Sequence, residues 1–127
     1  MTPGVLLVAV VDDEASVRKA MSRLIRSAGM AVETYASGTE FLASLGDHQP
    51  GCVVLDLHMP RLDGFDVYEQ LAGSGLGIPV ILITGHDTPE TRARSTAVGM
   101  TAYFRKPVDD QALLDAIVCC TRPGASA

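Results

Sequence analysis

The sequence lacks an excess of basic charge, long apolar runs and paired cysteines. Its formal net charge is −5, which argues against a nucleic-acid-binding surface. The longest wholly apolar stretch, residues 5–11, has seven residues, far short of the roughly 20 that cross a bilayer. No charged segment precedes it as a secretion signal would require. No membrane association is expected, and the expected location is cytoplasmic. The three cysteines, two of them adjacent at Cys119 and Cys120, have no metal-ligand spacing and no even disulfide framework. They read as reduced thiols packed in a cytoplasmic protein. His48, His58 and His86 read as solvated loop residues, and no two of them have metal-ligand spacing. Low-complexity tracts, internal repeats and internal boundaries are missing as well.

What is present is an ordinary globular composition, 47 % apolar and 20 % charged over 127 residues, suited to one domain with one core. Short apolar, β-branched runs stand at residues 5–11, 31–35, 52–55, 79–84 and 101–104. Several are continuous, as in strands buried on both faces of a parallel sheet. Helix-length segments separate them. In the first, Val17, Ala20, Met21, Leu24, Ile25 and Ala28 recur at three- and four-residue steps, and Gly29 stands at a C′ position. Ser37 and Glu40 have capping-box spacing ahead of Phe41 and Leu42. Phe65, Val67, Tyr68 and Leu71 mark a third helix. Thr88-Pro89 opens a fourth as an N-cap with proline at N1, and its mostly alanine stripe predicts loose packing. The last follows Asp109 or Asp110 and carries Leu113, Leu114, Ile117 and Val118. Strict alternation of strand and helix predicts an α/β fold, a doubly wound five-stranded parallel sheet with five helices. The expected domain covers residues 1–121, with 122–127 as a tail or the start of a linker.

In such sheets chemistry sits beyond the carboxyl ends of the strands. The first strand ends in Asp12-Asp13-Glu14, the third in Asp56, the fourth in Thr84-Gly85 and the fifth in Lys106-Pro107. Crowded carboxylates repel one another, and one would take up a proton. A hard divalent cation such as Mg2+ removes the conflict and prefers oxygen ligands with water retained. A metal beside a carboxylate, a hydroxyl and an ammonium suits phosphoryl transfer. Asp56 then acts as nucleophile, Lys106 balances phosphoryl oxygens, Thr84 hydrogen-bonds the new group, and Gly85 leaves room for it. Taken alone, Asp12-Asp13 would be a helix cap, Thr84 a strand-end residue, Lys106 a surface lysine and Tyr103 a core aromatic with its hydroxyl at the rim. Their joint register at strand ends favours a site.

These residues carry a resemblance. VVDDE at 10–14, LDLHMPRLDG at 55–64, ITG at 83–85 and RKP at 105–107 resemble the motifs of the receiver domain of two-component response regulators, in order and at close to the family's spacing. The run from Val10 to Leu42, with ITGH at 83–86, looks most like the FixJ branch. The resemblance implies a flavodoxin-like strand order 2-1-3-4-5. It implies Asp56 as phosphoacceptor, with Asp13 as direct ligand of Mg2+ (Mn2+ as the alternative), Asp12 acting through water and His58 offering its backbone carbonyl. Thr84 resembles the switch hydroxyl, Lys106 the phosphate-pairing lysine and Tyr103 the aromatic that changes rotamer. Glu14, Gly64, Gly85 and Pro107 would support the site, Gly64 in the tight turn after the third strand and Pro107 through a cis Lys106-Pro107 bond.

The resemblance further implies a histidine kinase as phosphodonor, an output that is transcriptional in the FixJ branch, and a switch at the fourth helix, fifth strand and fifth helix. Homodimerisation on phosphorylation would use that surface, and DNA would be bound only through an output domain outside this chain. Lys19, Arg23 and Arg26 form a stripe on the first helix that is a solvated face or a kinase contact. Met100 stands where the family favours alanine and Val108 where it favours phenylalanine, which bears on the dimer and not on the phosphorylation chemistry.

Competing readings are a stand-alone or hybrid-kinase phosphorelay receiver, and a degenerate receiver that only binds partners. A phosphatase or hydrolase with an aspartate nucleophile would ask for a carboxylate where His58 stands. A flavin module would need a glycine- and hydroxyl-rich loop where Asp12-Asp13-Glu14 would repel phosphate. The expected role is a signalling module that promotes its own phosphorylation, not an enzyme acting on a free metabolite.

Overall fold

The computed structural model describes residues 6–121. Along the chain run β1 (Leu7–Val11), α1 (Ala15–Ser27), β2 (Ala31–Tyr35), α2 (Gly38–Ser44), β3 (Cys52–Asp56), α3 (Gly64–Gly73), β4 (Val80–Thr84), α4 (Pro89–Val98), β5 (Ala102–Arg105) and α5 (Asp110–Thr121). The strands form one sheet in the order β2-β1-β3-β4-β5, every neighbouring pair parallel. The expected alternation and strand order are both present. Val5 and residues 122–127, which carried the start of the first strand and the tail, lie outside the described residues.

Every residue of β3 and β4 is buried, which is why their sequences read as continuous apolar runs and not as alternating ones. Side chains of successive residues leave the sheet on opposite faces, and two cores result. Val8, Val10, Val54, Ile81 and Ile83 pack on one face with Met21 and Ile25 of α1 and Leu113 and Ile117 of α5. Ala9, Val11, Val53, Leu55 and Leu82 pack on the other with Phe41 of α2 and Phe65, Val67 and Leu71 of α3. Met100 and Val108 are half-buried and pack one against each core. Lys19, Arg23 and Arg26 lie exposed on α1, whereas Val118 of α5, expected in the apolar stripe, is 46 % exposed.

Strand limits differ from the sequence expectation in four strands. β1 begins at Leu7, which leaves Leu6 outside it. β3 continues through Asp56. β4 begins at Val80, because Pro79 has no N–H to pair, although its carbonyl accepts from Val53 N at 3.0 Å. β5 is displaced to residues 102–105, after Thr101 N donates to Val80 O. The capping box expected at α2 is half formed. Ser37 Oγ accepts from Glu40 N at 3.1 Å, but the Glu40 carboxylate turns to the Ser37 hydroxyl at 3.3 Å instead of the backbone N–H. Full reciprocal boxes close α3 (Asp63 with Asp66) and α4 (Thr88 with Thr91, Pro89 following). Asp109 is the cap of α5, its carboxylate accepting from Ala112 N at 2.9 Å. Gly29 ends α1 with a φ of 86°, in the left-handed region that a side chain disfavours.

α4 buries only Ser95, in line with its weak stripe. Polar and ring contacts hold it instead. Tyr68 of α3 donates to the Val98 carbonyl at 2.8 Å, and the Arg94 guanidinium sits 4.1 Å from the centre of the Phe65 ring.

Candidate functional site

Because all five strands are parallel, their carboxyl ends share one edge. Register sets the neighbours there: Val11 stands opposite Leu55, Asp56 opposite Ile83 and Thr84 opposite Arg105. One residue on, Asp12 and Lys106 reach the same edge. Asp12, Asp13 and Asp56 each bring a carboxylate oxygen within 4.8 Å of the others'. Asp12 is 0 % and Asp56 3 % exposed, while Asp13 faces solvent.

Asp12 is fixed from four sides. Its N–H donates to Tyr35 O at 3.1 Å, its carbonyl accepts from Arg18 Nη1 at 2.8 Å, and its Oδ1 accepts from Glu14 N at 2.9 Å. Lys106 Nζ donates to Oδ2 at 2.9 Å. The same ammonium lies 3.3 Å from Asp56 Oδ1 and 3.7 Å from Glu14 Oε1. Glu14 is the N-terminal flanking residue of α1 and makes no side-chain cap, so this acidic run does not cap the helix as the simpler reading would have it. The Lys106-Pro107 peptide is cis, as the resemblance implied, and Lys106 N donates to Thr84 O at 2.7 Å.

Burial and the neighbouring Asp12 charge push the Asp56 carboxyl up to about 6; Lys106 opposes the rise and Asp13 adds to it. Burial disfavours the Lys106 charge, but the hydrogen bond to Asp12 and the charges of Asp56 and Asp12 outweigh it and hold the ammonium above its ordinary range. Three carboxylates against one ammonium leave excess negative charge in a largely buried pocket. That donor set of hard oxygens, one of them open to water, fits a small divalent cation.

Thr84 is fully buried, and its Oγ1 accepts from His86 N at 3.0 Å. Gly85 faces open space: a Cβ there would meet only Lys106 Cδ, at 3.9 Å. Gly64 is the opposite case. A Cβ would fall 2.8 Å from Leu82 Cδ1 and 2.9 Å from Asp56 O and Leu57 Cα. Glycine therefore lets the loop after β3 return against the backbone of the candidate acceptor, where Gly64 N donates to Leu57 O at 2.8 Å. His58 and His86, both exposed, flank the pocket with ring centres 6.0 Å apart. His48 is an exposed loop residue, as expected, and also pairs with Glu33 at 2.7 Å.

Tyr103 points away from the carboxylates. Its half-buried hydroxyl donates to Asp87 Oδ1 at 2.8 Å and lies 2.9 Å from Thr91 Oγ1. Arg92 Nη2 pairs with Asp87 Oδ2 at 2.6 Å, and its guanidinium sits 4.9 Å from the Tyr103 ring centre. The hydrogen bond from Tyr103, then Arg92, hold the Asp87 carboxyl below its usual range. Asp87, Thr91 and Arg92 escaped the sequence reading. The T-P-E-T run at 88–91 carried a partial signal, since Thr91 stands at the N3 position of a capping box.

Residues 8–118 match the model of the response regulator receiver domain. The chain is 38 % identical over 111 residues to the response regulator protein TmoT of Ectopseudomonas mendocina, covering 87 % of this chain and 50 % of that protein. It is 32 % identical over 115 residues to the transcriptional regulatory protein FixJ of Azorhizobium caulinodans, covering 91 % and 54 %. The chain thus spans about half the length of these curated relatives. Among solved structures, FixJ-N superposes with a TM-score of 0.85 at 31 % identity, over 94 % of this chain and 95 % of that one. Fold, strand-end carboxylates and relatives agree: the chain belongs to the response regulator receiver family.

Proposed function

We propose that Asp56 accepts a phosphoryl group from a phosphohistidine on a partner histidine kinase, and that the phosphorylated state redirects the surface of α4, β5 and α5 to control an output. The observation that carries this reading is the buried Asp56 carboxylate, 3.3 Å from Lys106 Nζ, sharing its pocket with Asp12 and Asp13. The likeness to the transcriptional regulatory protein FixJ supports a transcriptional output, delivered by a DNA-binding domain outside this chain. The absence of a helix long and apolar enough to cross a membrane, among the described residues, agrees with a cytoplasmic role. The exposed cations of α1 supply a face for the kinase, and the α4–β5–α5 surface one for a homodimer.

Asp12, Asp13 and Asp56, with the His58 carbonyl, would hold Mg2+ or Mn2+, which offsets the charge of the carboxylates and of the phosphoryl oxygens. An Asp56 oxygen attacks phosphorus in line, and the bond from phosphorus to the donor nitrogen breaks as the new bond forms. Lys106, already poised between Asp12 and Asp56, pairs with a phosphoryl oxygen. The Thr84 hydroxyl accepts from His86 N and donates its own proton to another. Gly85 leaves that side open for the group and, later, for the water that removes it.

Drawing Thr84 toward the phosphoryl group pulls on the loop that carries Asp87. Tyr103 then loses its partners and turns inward, which shifts the population toward an altered α4–β5–α5 face. The chain acts as a switch that promotes its own phosphorylation, not as an enzyme consuming a free metabolite.

The test is intact mass after incubation with acetyl phosphate, with and without Mg2+, on wild type and Asp56→Asn. A Mg2+-dependent gain of one phosphoryl group in the wild type only is expected. A gain that persists in Asp56→Asn would remove Asp56 as acceptor. No gain in the wild type, repeated with a phosphorylated kinase as donor, would leave a receiver that signals through binding alone.

A further inference from the structure

Cys52 opens β3, and Cys120 stands in the last turn of α5, 68 residues later. Their sulfurs are 3.3 Å apart, closer than the roughly 4 Å of ordinary apolar packing. Cys52 is fully buried. Cys120 is half-buried and, with Cys119, lines a cleft of about 560 Å³ bounded by Pro79, Thr101 and Ala116. A small solute in that cleft meets Cys120 before Cys52. The hydrogen bond between the two sulfurs holds the Cys120 thiol below its usual range, and the same bond together with burial pushes Cys52 up. Cys119 is exposed. As the helical neighbour of Cys120 it points to a different side of α5, so those two thiols do not face each other.

We propose that Cys120 is an oxidation site for peroxides and that Cys52 resolves it, forming a reversible Cys52–Cys120 disulfide. The Cys120 thiolate attacks one oxygen of hydrogen peroxide. The O–O bond breaks, the sulfur becomes a sulfenic acid, and the departing hydroxide takes up the one proton that the Cys120 thiol had lost and leaves as water. The Cys52 sulfur then attacks the Cys120 sulfur. The S–O bond breaks, and hydroxide leaves as a second water with the Cys52 proton. Two thiols and one peroxide become one disulfide and two waters. Exchange with a dithiol reverses the bond.

The bond ties the last turn of α5 to the buried start of β3. Asp56 lies at the other end of β3, four residues or about 13 Å away at strand rise, so the proposal is independent of the carboxylate site.

The test uses the wild-type chain treated with hydrogen peroxide, its remaining thiols then alkylated, followed by peptide mapping. Expected are one alkylated cysteine, Cys119, and a Cys52–Cys120 cross-linked peptide within one chain that dithiothreitol releases. Cys119→Ser forms the same link, and Cys120→Ser leaves Cys52 fully alkylated once the protein is denatured. Three alkylated cysteines in the wild type, a Cys119–Cys120 link, or a link between chains through Cys119 would overturn the proposal.

Discussion

Tyr103 donates its hydroxyl proton to Asp87 at 2.8 Å, which ties an aromatic side chain of β5 to the loop that follows Thr84. The rotamer of Tyr103 therefore depends on where that loop stands. Asp87→Ala removes the acceptor and also takes the paired carboxylate from Arg92. The Tyr103 ring resonances are expected to shift or broaden without any phosphoryl donor, with little change in melting temperature because the pair lies near the surface. Ring resonances identical to wild type would mean that Thr91 alone sets the rotamer.

The Asp56 carboxyl stands at about 6 in the folded chain, above its unfolded value near 4. Between those values the folded state holds a proton that the unfolded state has lost, so metal-free stability falls as pH rises from about 4 to about 6. The loss is complete above that window and on the order of 2–3 kcal/mol. Asp56→Asn has no such slope and is expected to be more stable than wild type at pH 8 in the presence of a chelator. Urea unfolding at pH 4 and pH 8 measures both. Equal slopes for the two proteins would place the titration elsewhere.

Added Mg2+ is expected to raise wild-type stability at pH 8, by about 2.7 kcal/mol at a hundred times its Kd, and removal with a chelator to reverse the gain. Asp13→Asn should blunt the effect without harming the core, because Asp13 is exposed whereas Asp12 and Asp56 are not. A melting-temperature titration with Mg2+ reads it out. An undiminished response in Asp13→Asn would exclude that carboxylate as a ligand.

Gly64 and Gly85 are expected to part company on substitution. Gly64→Ala drives a methyl group against Asp56 O and Leu57 Cα at 2.9 Å, both backbone atoms, and should cost about 1–3 kcal/mol. Gly85→Ala meets nothing closer than 3.9 Å and should leave stability nearly unchanged while slowing phosphoryl uptake. Chemical denaturation of both variants, with acetyl phosphate kinetics on Gly85→Ala, separates a packing role from one in access.

Much of the fold was legible in the sequence. The runs that became β3 and β4 announced strands buried on both faces. Periodic apolar residues marked α1, and Thr88-Pro89 marked the start of α4. These signals are local, because burial on one or two faces imposes a period on neighbouring residues. Strand limits slipped by a residue where a hydrogen-bond partner decided them, as at Pro79. Glu40 satisfied a box by spacing but not by geometry. The Asp63–Asp66 box passed unnoticed because Asp63 was read only as part of LDLHMPRLDG.

The sequence by itself determined that Asp12, Asp13, Asp56, Thr84 and Lys106 would share one edge, since parallel strands place all their carboxyl ends together. Only the tertiary structure decided how these groups engage: Lys106 bridging Asp12 and Asp56, Thr84 bonded to His86, Tyr103 held outward by Asp87, and Cys52 within 3.3 Å of Cys120. Tyr103 and Asp87 are separated by 16 residues and the two sulfurs by 68. Contacts at such separations leave no periodic trace in the chain. They arise from the register between strands and the angle at which each helix packs, both of which are set by the whole core at once.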